Sequence, residues 1–250
     1  MTQKILTVIT VIVFSFAFSF APIDKNLITE PSAPLPEVSL ADEEITENLS
    51  MEEEISLLYT AFSENNTTVP SLESFSNGMK GYYKLFDQGL VKKEILTIID
   101  FSLSSKEKRM WVLDMKNNEV LINSVVSHGK NTGEEFATKF SNTLNSLQSS
   151  LGFYVTGETY MGGNGYSLFI DGMEKEFNSR ARERYVVIHG AAYANPETIK
   201  SLGRLGKSYG CPAVPTAITK EFIDTIKDKS VVYIHSKDKT YAERSQMIRA

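Results

Sequence analysis

The chain has one cysteine in 250 residues, Cys211. A lone thiol excludes an internal disulfide and leaves two readings, chemistry or plain burial. Basic charge is also short: 26 Lys and Arg stand against 31 Asp and Glu, a formal net charge of -5. That balance offers no positive field to a polyanion and excludes nucleic acid as a partner. There is no internal repeat, and histidine occurs only at His128, His189 and His235. The glycine-rich stretch Gly162-Gly163-Asn164-Gly165 lacks the strand, spacing and following helix of a phosphate cradle, so it reads as a hairpin turn or flap.

What is present falls into segments. Lys4 precedes an apolar stretch over 5–21 that ends in small residues, the pattern of a secretory leader cut after Ser19 or Ala21, with Pro22 disfavouring the second site. Its length is near the lower limit for crossing a bilayer, so removal ranks ahead of retention as an anchor, the only membrane tether the sequence offers. No cysteine follows it, which argues against lipid attachment. Residues 22–46 are rich in Pro, Glu, Asp, Ser and Ala, with Pro31, Pro34 and Pro36 closely spaced, and read as a disordered linker. The remainder, about two hundred residues, suffices for one catalytic domain with a helical preface. Export to the periplasm or cell envelope follows from the leader.

Helical spacing runs through 51–62, with Ile55, Leu58, Tyr59 and Phe62 on one face, and through 72–90, with Phe75, Met79, Tyr82, Tyr83 and Phe86. Such stripes predict a core-facing preface over 47–91. Over 92–250 the pattern turns to short β-prone runs at 95–101, 109–115, 120–127, 152–160, 166–170, 185–189 and 231–235. Lys116-Asn117-Asn118-Glu119 reads as a hairpin loop. Two late helices are predicted, 196–202 with Asn195 as cap and Pro196 at its first position, and 217–227 with Thr216 as cap. The fold class is mostly β, predominantly antiparallel, with added helices.

The chemistry has to come from what these elements deliver to one place. His189 closes the buried-looking run Tyr185-Val186-Val187-Ile188, and Gly190 after it lets a turn carry the imidazole to the rim of a sheet. His128 has a similar setting at the end of 120–127, and the two rank closely from sequence alone. In Ser208-Tyr209-Gly210-Cys211, Gly210 lets the backbone approach a substrate and aims successive amides at a developing oxyanion. A cysteine attacks as thiolate, and an imidazole can take its proton and return it to the leaving amine. Acyl transfer is the reaction these groups suit; a backbone carbonyl holding the second ring nitrogen removes the need for an aspartate.

These residues resemble the L,D-transpeptidases of bacterial cell walls, the YkuD-type catalytic domain. Members carry a histidine followed by glycine or serine, then a Ser/Thr-x-Gly-Cys signature; here His189-Gly190 precedes Ser208-Tyr209-Gly210-Cys211. Ser127-His128-Gly129-Lys130-Asn131-Thr132-Gly133 and Ser149-Ser150-Leu151-Gly152-Phe153-Tyr154 look like two further family segments, so that the likeness covers about 107–236. Gly203-Arg204-Leu205-Gly206 and Cys211-Pro212-Ala213 are similar to one branch of the family.

The resemblance implies a YkuD-like β-sandwich or barrel whose cysteine attacks the third residue of a peptidoglycan tetrapeptide stem and releases D-alanine. The thioester then passes to an acceptor stem as a 3-3 crosslink, with no metal or organic cofactor. It assigns Cys211 as nucleophile, His189 as base, the Gly190 carbonyl as holder of the imidazole, and the Gly210 and Cys211 amides as oxyanion donors. Tyr209 stands where the family often has histidine, and the arginine common soon after the cysteine is missing. Arg204 is the candidate substitute for gripping stem carboxylates, and Ser208, Tyr209 and His128 complete the candidate substrate-binding set. Two alternatives stay open: an L,D-carboxypeptidase with water as acceptor, and a non-catalytic wall-binding module with an inert, buried thiol. Oligomeric state is not legible.

Overall fold

Ser50 opens the first helix in the computed structural model of the protein, which describes residues 49–249. Its hydroxyl accepts from the Glu53 amide while the Glu53 carboxylate accepts from the Ser50 amide, so two otherwise orphaned donors at the start of α1 (Met51–Asn65) are satisfied reciprocally. Ser71 caps α2 (Leu72–Asp87) through the Ser74 amide. The buried faces are Ile55 and Phe62 of α1 and Phe75, Met79 and Tyr82 of α2, as the spacing predicts, with Leu85 added; Leu58, Tyr59 and Tyr83 are half-buried, and Phe86 lies on the exposed side. Where α2 meets the sheet, a Cβ on Gly81 would fall 2.2 Å from Phe153 Cζ, so only glycine admits that ring. The leader expected over 1–21 and the linker over 22–46 lie outside the described residues. Among the described residues no helix is long and apolar enough to cross a membrane.

The β-prone runs assemble into one eight-stranded mixed sheet. Its strands are β1 (Ile95–Asp100), β2 (Met110–Asp114), β3 (Glu119–Ser124), β4 (Gly152–Gly162), β5 (Gly165–Gly172), β6 (Val187–Gly190), β7 (Ala213–Val214) and β8 (Val231–His235). Their spatial order is β3-β2-β1-β8-β4-β5-β6-β7. β1 and β8 pair in parallel, as do β6 and β7, and the other neighbours are antiparallel. Every residue of β1 and β8 is buried, which suits central strands covered on both faces. The mostly-β architecture with added helices is the one the sequence pattern predicts, and the turns at Asn118 and Gly163-Asn164 are hairpins as read.

Some local readings are corrected. The run over 120–127 stops being a regular strand at Ser124, and beyond it pairing survives only as isolated bridges, Ser127 with Ala213 and Gly129 with Ser208. Neither Asn195 nor Thr216 caps its helix with a side chain. The Asn195 amide oxygen accepts instead from both the backbone and the hydroxyl of Thr216, a long-range bond that ties the start of α3 (Pro196–Leu202) to the 3-10 turn leading into α4 (Thr219–Ile226). The two-residue strand β7 and the helix α5 (Lys239–Arg244), capped by Asp238, have no counterpart in the sequence reading.

Candidate active site

The last two residues of β6 face β7 in parallel, His189 opposite Ala213 and Gly190 opposite Val214. The same register brings Cys211, two residues before β7, alongside the start of β6, so two segments distant in sequence share one end of the sheet. His189 is 3% exposed. Its Nδ1 lies 3.0 Å from the Gly190 carbonyl. A carbonyl only accepts, so Nδ1 carries the proton and Nε2 keeps its lone pair. Burial pushes the His189 pKa below the ordinary value, against the opposing pull of the Gly190 carbonyl. The ring is therefore a neutral imidazole, and among the described residues its Nε2 makes no hydrogen bond.

The glycine after the histidine serves a different purpose from the turn the sequence suggests. A Cβ at Gly190 would sit 2.1 Å from Thr219 Oγ1 at the head of α4, so the residue is a point of close approach.

Cys211 is partly exposed, although its sulfur is crowded by protein. The thiol donates to the Tyr185 carbonyl and accepts from the Val187 amide, both at 3.4 Å. Among the described residues no hydrogen bond joins the sulfur to His189. Burial pushes the thiol pKa up, opposed by the Val187 N–H and by Arg184. Both groups are thus neutral at rest, thiol and imidazole rather than an ion pair.

The loop before Cys211 closes on itself. Ser208 donates its hydroxyl to the Cys211 carbonyl at 2.6 Å and accepts from the Gly210 amide at 3.0 Å. The Ser208 backbone is clamped to the preceding segment through the His128 carbonyl and the Lys130 amide. Gly210 sits at φ +126, where a side chain is strained, and its carbonyl accepts from Ser149 Oγ. Of the two amides assigned as oxyanion donors, that of Gly210 is engaged by Ser208, while the Cys211 amide makes no hydrogen bond among the described residues. Tyr209 points outward, 73% exposed, with Lys130 Nζ 5.4 Å from its ring centre.

His128 is buried rather than at a surface where substrate could touch it, whereas Arg204 is half-exposed. The Nδ1 of His128 takes a bond from Arg109 at 2.8 Å and its Nε2 gives one to the Gly133 carbonyl at 3.3 Å. Burial and the Arg109 charge hold its pKa down to about 4, so it is a neutral strut beneath the loop. Arg204 donates to the Leu205 carbonyl and pairs with the exposed Glu134 at 3.0 Å, a carboxylate it shares with Lys207.

Sequence reasoning missed Arg184. It belongs to the run Arg180-Ala181-Arg182-Glu183-Arg184 that abuts the base-bearing strand, and a Cβ on Gly210 would lie 3.5 Å from its Nη2. The only signal available was a cluster of cations next to a strand end. Among the described residues no group of three or more His, Cys, Asp or Glu side chains is placed to hold a metal ion.

A family model described as the L,D-transpeptidase catalytic domain matches residues 66–235, a span that begins before α2 and ends with β8. A search of curated proteins gives no match. Among solved structures, an L,D-transpeptidase from Mycobacterium smegmatis is 14% identical, with 57% of this chain and 58% of that one covered and a TM-score of 0.36. One from Stackebrandtia nassauensis is 10% identical, with 64% and 65% covered and a TM-score of 0.34. A mutant L,D-transpeptidase from Enterococcus faecium is 15% identical, with 58% and 50% covered and a TM-score of 0.34. The chain thus spans less than two thirds of the length of each of these structures.

Proposed function

Because the chain belongs to the L,D-transpeptidase catalytic-domain family, we propose that it is a cysteine acyltransferase acting on peptidoglycan stem peptides, with Cys211 as nucleophile and His189 as base. The observation that carries this reading is the bond from His189 Nδ1 to the Gly190 carbonyl, which leaves Nε2 as a lone-pair base on the strand beside the thiol.

In the reaction, the Cys211 side chain turns from the Tyr185 carbonyl toward Nε2. The imidazole takes the thiol proton as sulfur attacks the carbonyl of the third stem residue. The carbonyl oxygen becomes an oxyanion within reach of the Cys211 amide, the donor left free in the loop. Collapse breaks the bond to the terminal D-alanine, whose amine leaves with the proton from the imidazolium. A side-chain amine of a second stem then attacks the thioester, the imidazole takes its proton, and the thiol is restored as the new amide forms.

The outward Tyr209 and Arg204 line the stem peptide in this account, since a guanidinium whose charged partner is an exposed carboxylate can exchange it for another. Such a substrate lies outside the cytoplasm, and the leader-like sequence over 4–21 supports export.

Incubating the purified protein with tetrapeptide stems and weighing the products tests the reading. Free D-alanine with crosslinked dimers is the expected result. Tripeptides without dimers would make water the acceptor, and an intact mass unchanged after incubation with a carbapenem would leave only the wall-binding module.

A further inference from the structure

Three arginines alternate just before β6, and two of them are neutralised. Arg180 pairs with Glu183, and Arg182 with Glu158 and Asp171. Arg184 differs: every partner it has among the described residues is a neutral oxygen. Nη1 binds the Ser141 carbonyl at 2.6 Å and the Ser150 hydroxyl; Nη2 binds the Ser146 hydroxyl at 3.1 Å and the Gln148 carbonyl at 2.6 Å. A partly buried guanidinium whose four Nη hydrogens are bonded to neutral oxygens, and whose charge is uncompensated among the described residues, is an anion-stabilising element in waiting.

Its position says which anion. Nη2 would come within 3.5 Å of a Cβ on Gly210, the residue next to the nucleophile. The loop it grips also supplies Ser149, whose hydroxyl donates to the Gly210 carbonyl. The carbonyl of the following residue, Tyr185, accepts the hydrogen bond of the thiol.

We propose that Arg184 is a positioning residue for the nucleophile: it fastens the 141–150 loop behind Gly210 and supplies the fixed positive charge that favours the thiolate form of Cys211. The proposal deepens the acyltransferase reading and rests on it for its purpose. Burial raises the thiol pKa, and Arg184 opposes that rise, while the thiol acts on Arg184 in return. Lysine could supply the charge, but only the guanidinium fork can hold four oxygens of one loop at once.

Alkylation by iodoacetamide measures this directly, because Cys211 is the only sulfur nucleophile of its kind and intact mass reports its occupancy. The thiolate sulfur forms the new C–S bond and iodide leaves with the electron pair, so the rate follows the thiolate fraction. Arg184→Gln should move the pH midpoint of alkylation up by about one unit, roughly tenfold less thiolate at a fixed pH below it. Arg184→Lys should retain most of the wild-type position. Ser146→Asp places a carboxylate on Nη2 with the arginine still present, and should raise the midpoint too; it decides the matter if Arg184→Gln does not fold.

Midpoints for Arg184→Gln and Ser146→Asp that overlay the wild type would overturn the proposal, as would an Arg184→Lys midpoint shifted as far as that of Arg184→Gln. The assay needs no stem peptide, so it stands apart from the D-alanine release that tests the reaction. Alkylation as expected without D-alanine release would sink the acyltransferase and leave the role of Arg184 in place.

Discussion

The Cys211 thiol donates a hydrogen bond to the carbonyl of Tyr185, 3.4 Å away. Tyr185 itself occupies the left-handed region, φ +52, uncommon for a bulky side chain, and its ring is 70% exposed. The sulfur therefore rests on the main chain of the segment that leads into β6. In the proposed reaction His189 is the base, and burial keeps the thiol protonated at rest.

Replacing His189 by alanine should lower turnover by roughly a hundredfold to ten-thousandfold, the ordinary worth of a positioned base. Its depressed pKa also sets a pH dependence. The ring must be neutral to accept a proton, so activity is present above its folded pKa and is lost as pH falls through a value under 6.5. A kcat/KM profile of D-alanine release checks both; an acid limb at or above 6.5 would point to another base.

His128 should act on stability rather than on turnover. The unfolded chain binds a proton on this ring near 6.5 and the folded chain only near about 4, so between those values the unfolded state holds more protons and stability falls as pH falls. The loss attached to this ring amounts to roughly 3 kcal/mol once both forms are protonated. His128→Gln should remove that part of the slope in urea melts taken across the range, and alkylation of Cys211 in the folded variant should be unchanged.

Gly210→Ala tests the loop geometry. At φ +126 an alanine is strained, and its Cβ would meet the Gln148 carbonyl at 2.9 Å. The substitution should cost about 1–3 kcal/mol by thermal melting and slow alkylation of Cys211, since the displaced peptide carries the nucleophile. A variant as stable and as reactive as the wild type would mean that the loop is more tolerant than its hydrogen bonds imply.

For Arg204 the expectation separates binding from stability. Its ion pair is with an exposed carboxylate, so Arg204→Ala should change stability by less than about 1 kcal/mol. If the guanidinium grips a stem carboxylate, KM rises while kcat is nearly held. An unchanged KM would confine Arg204 to its pairing with Glu134.

Much of this molecule was legible in its residues, for reasons that differ from element to element. The helical faces of α1 and α2 follow from local spacing, and β1 and β8 announce themselves as runs rich in β-branched apolar residues, while Phe86 departs from its helical pattern by lying exposed. The positions of His189 and Cys211 were readable because a strand end and a glycine loop are local signals. What escaped depends on partners far along the chain. Asn195 looks like a cap until Thr216 claims its oxygen, and β7 is too short to carry a period of its own. Arg184 draws its setting from a loop some forty residues earlier, which no window around it contains. His128 resembled His189 because both end apolar runs, and only Arg109, buried beside it, distinguishes a strut from a base.

Both atoms that hold the Cys211 sulfur, the Val187 nitrogen and the Tyr185 oxygen, belong to peptide groups. Because main-chain groups are present whatever the side chains, the surrounding residues can change while the sulfur keeps its address, with proline at 187 the substitution that would remove the nitrogen's hydrogen.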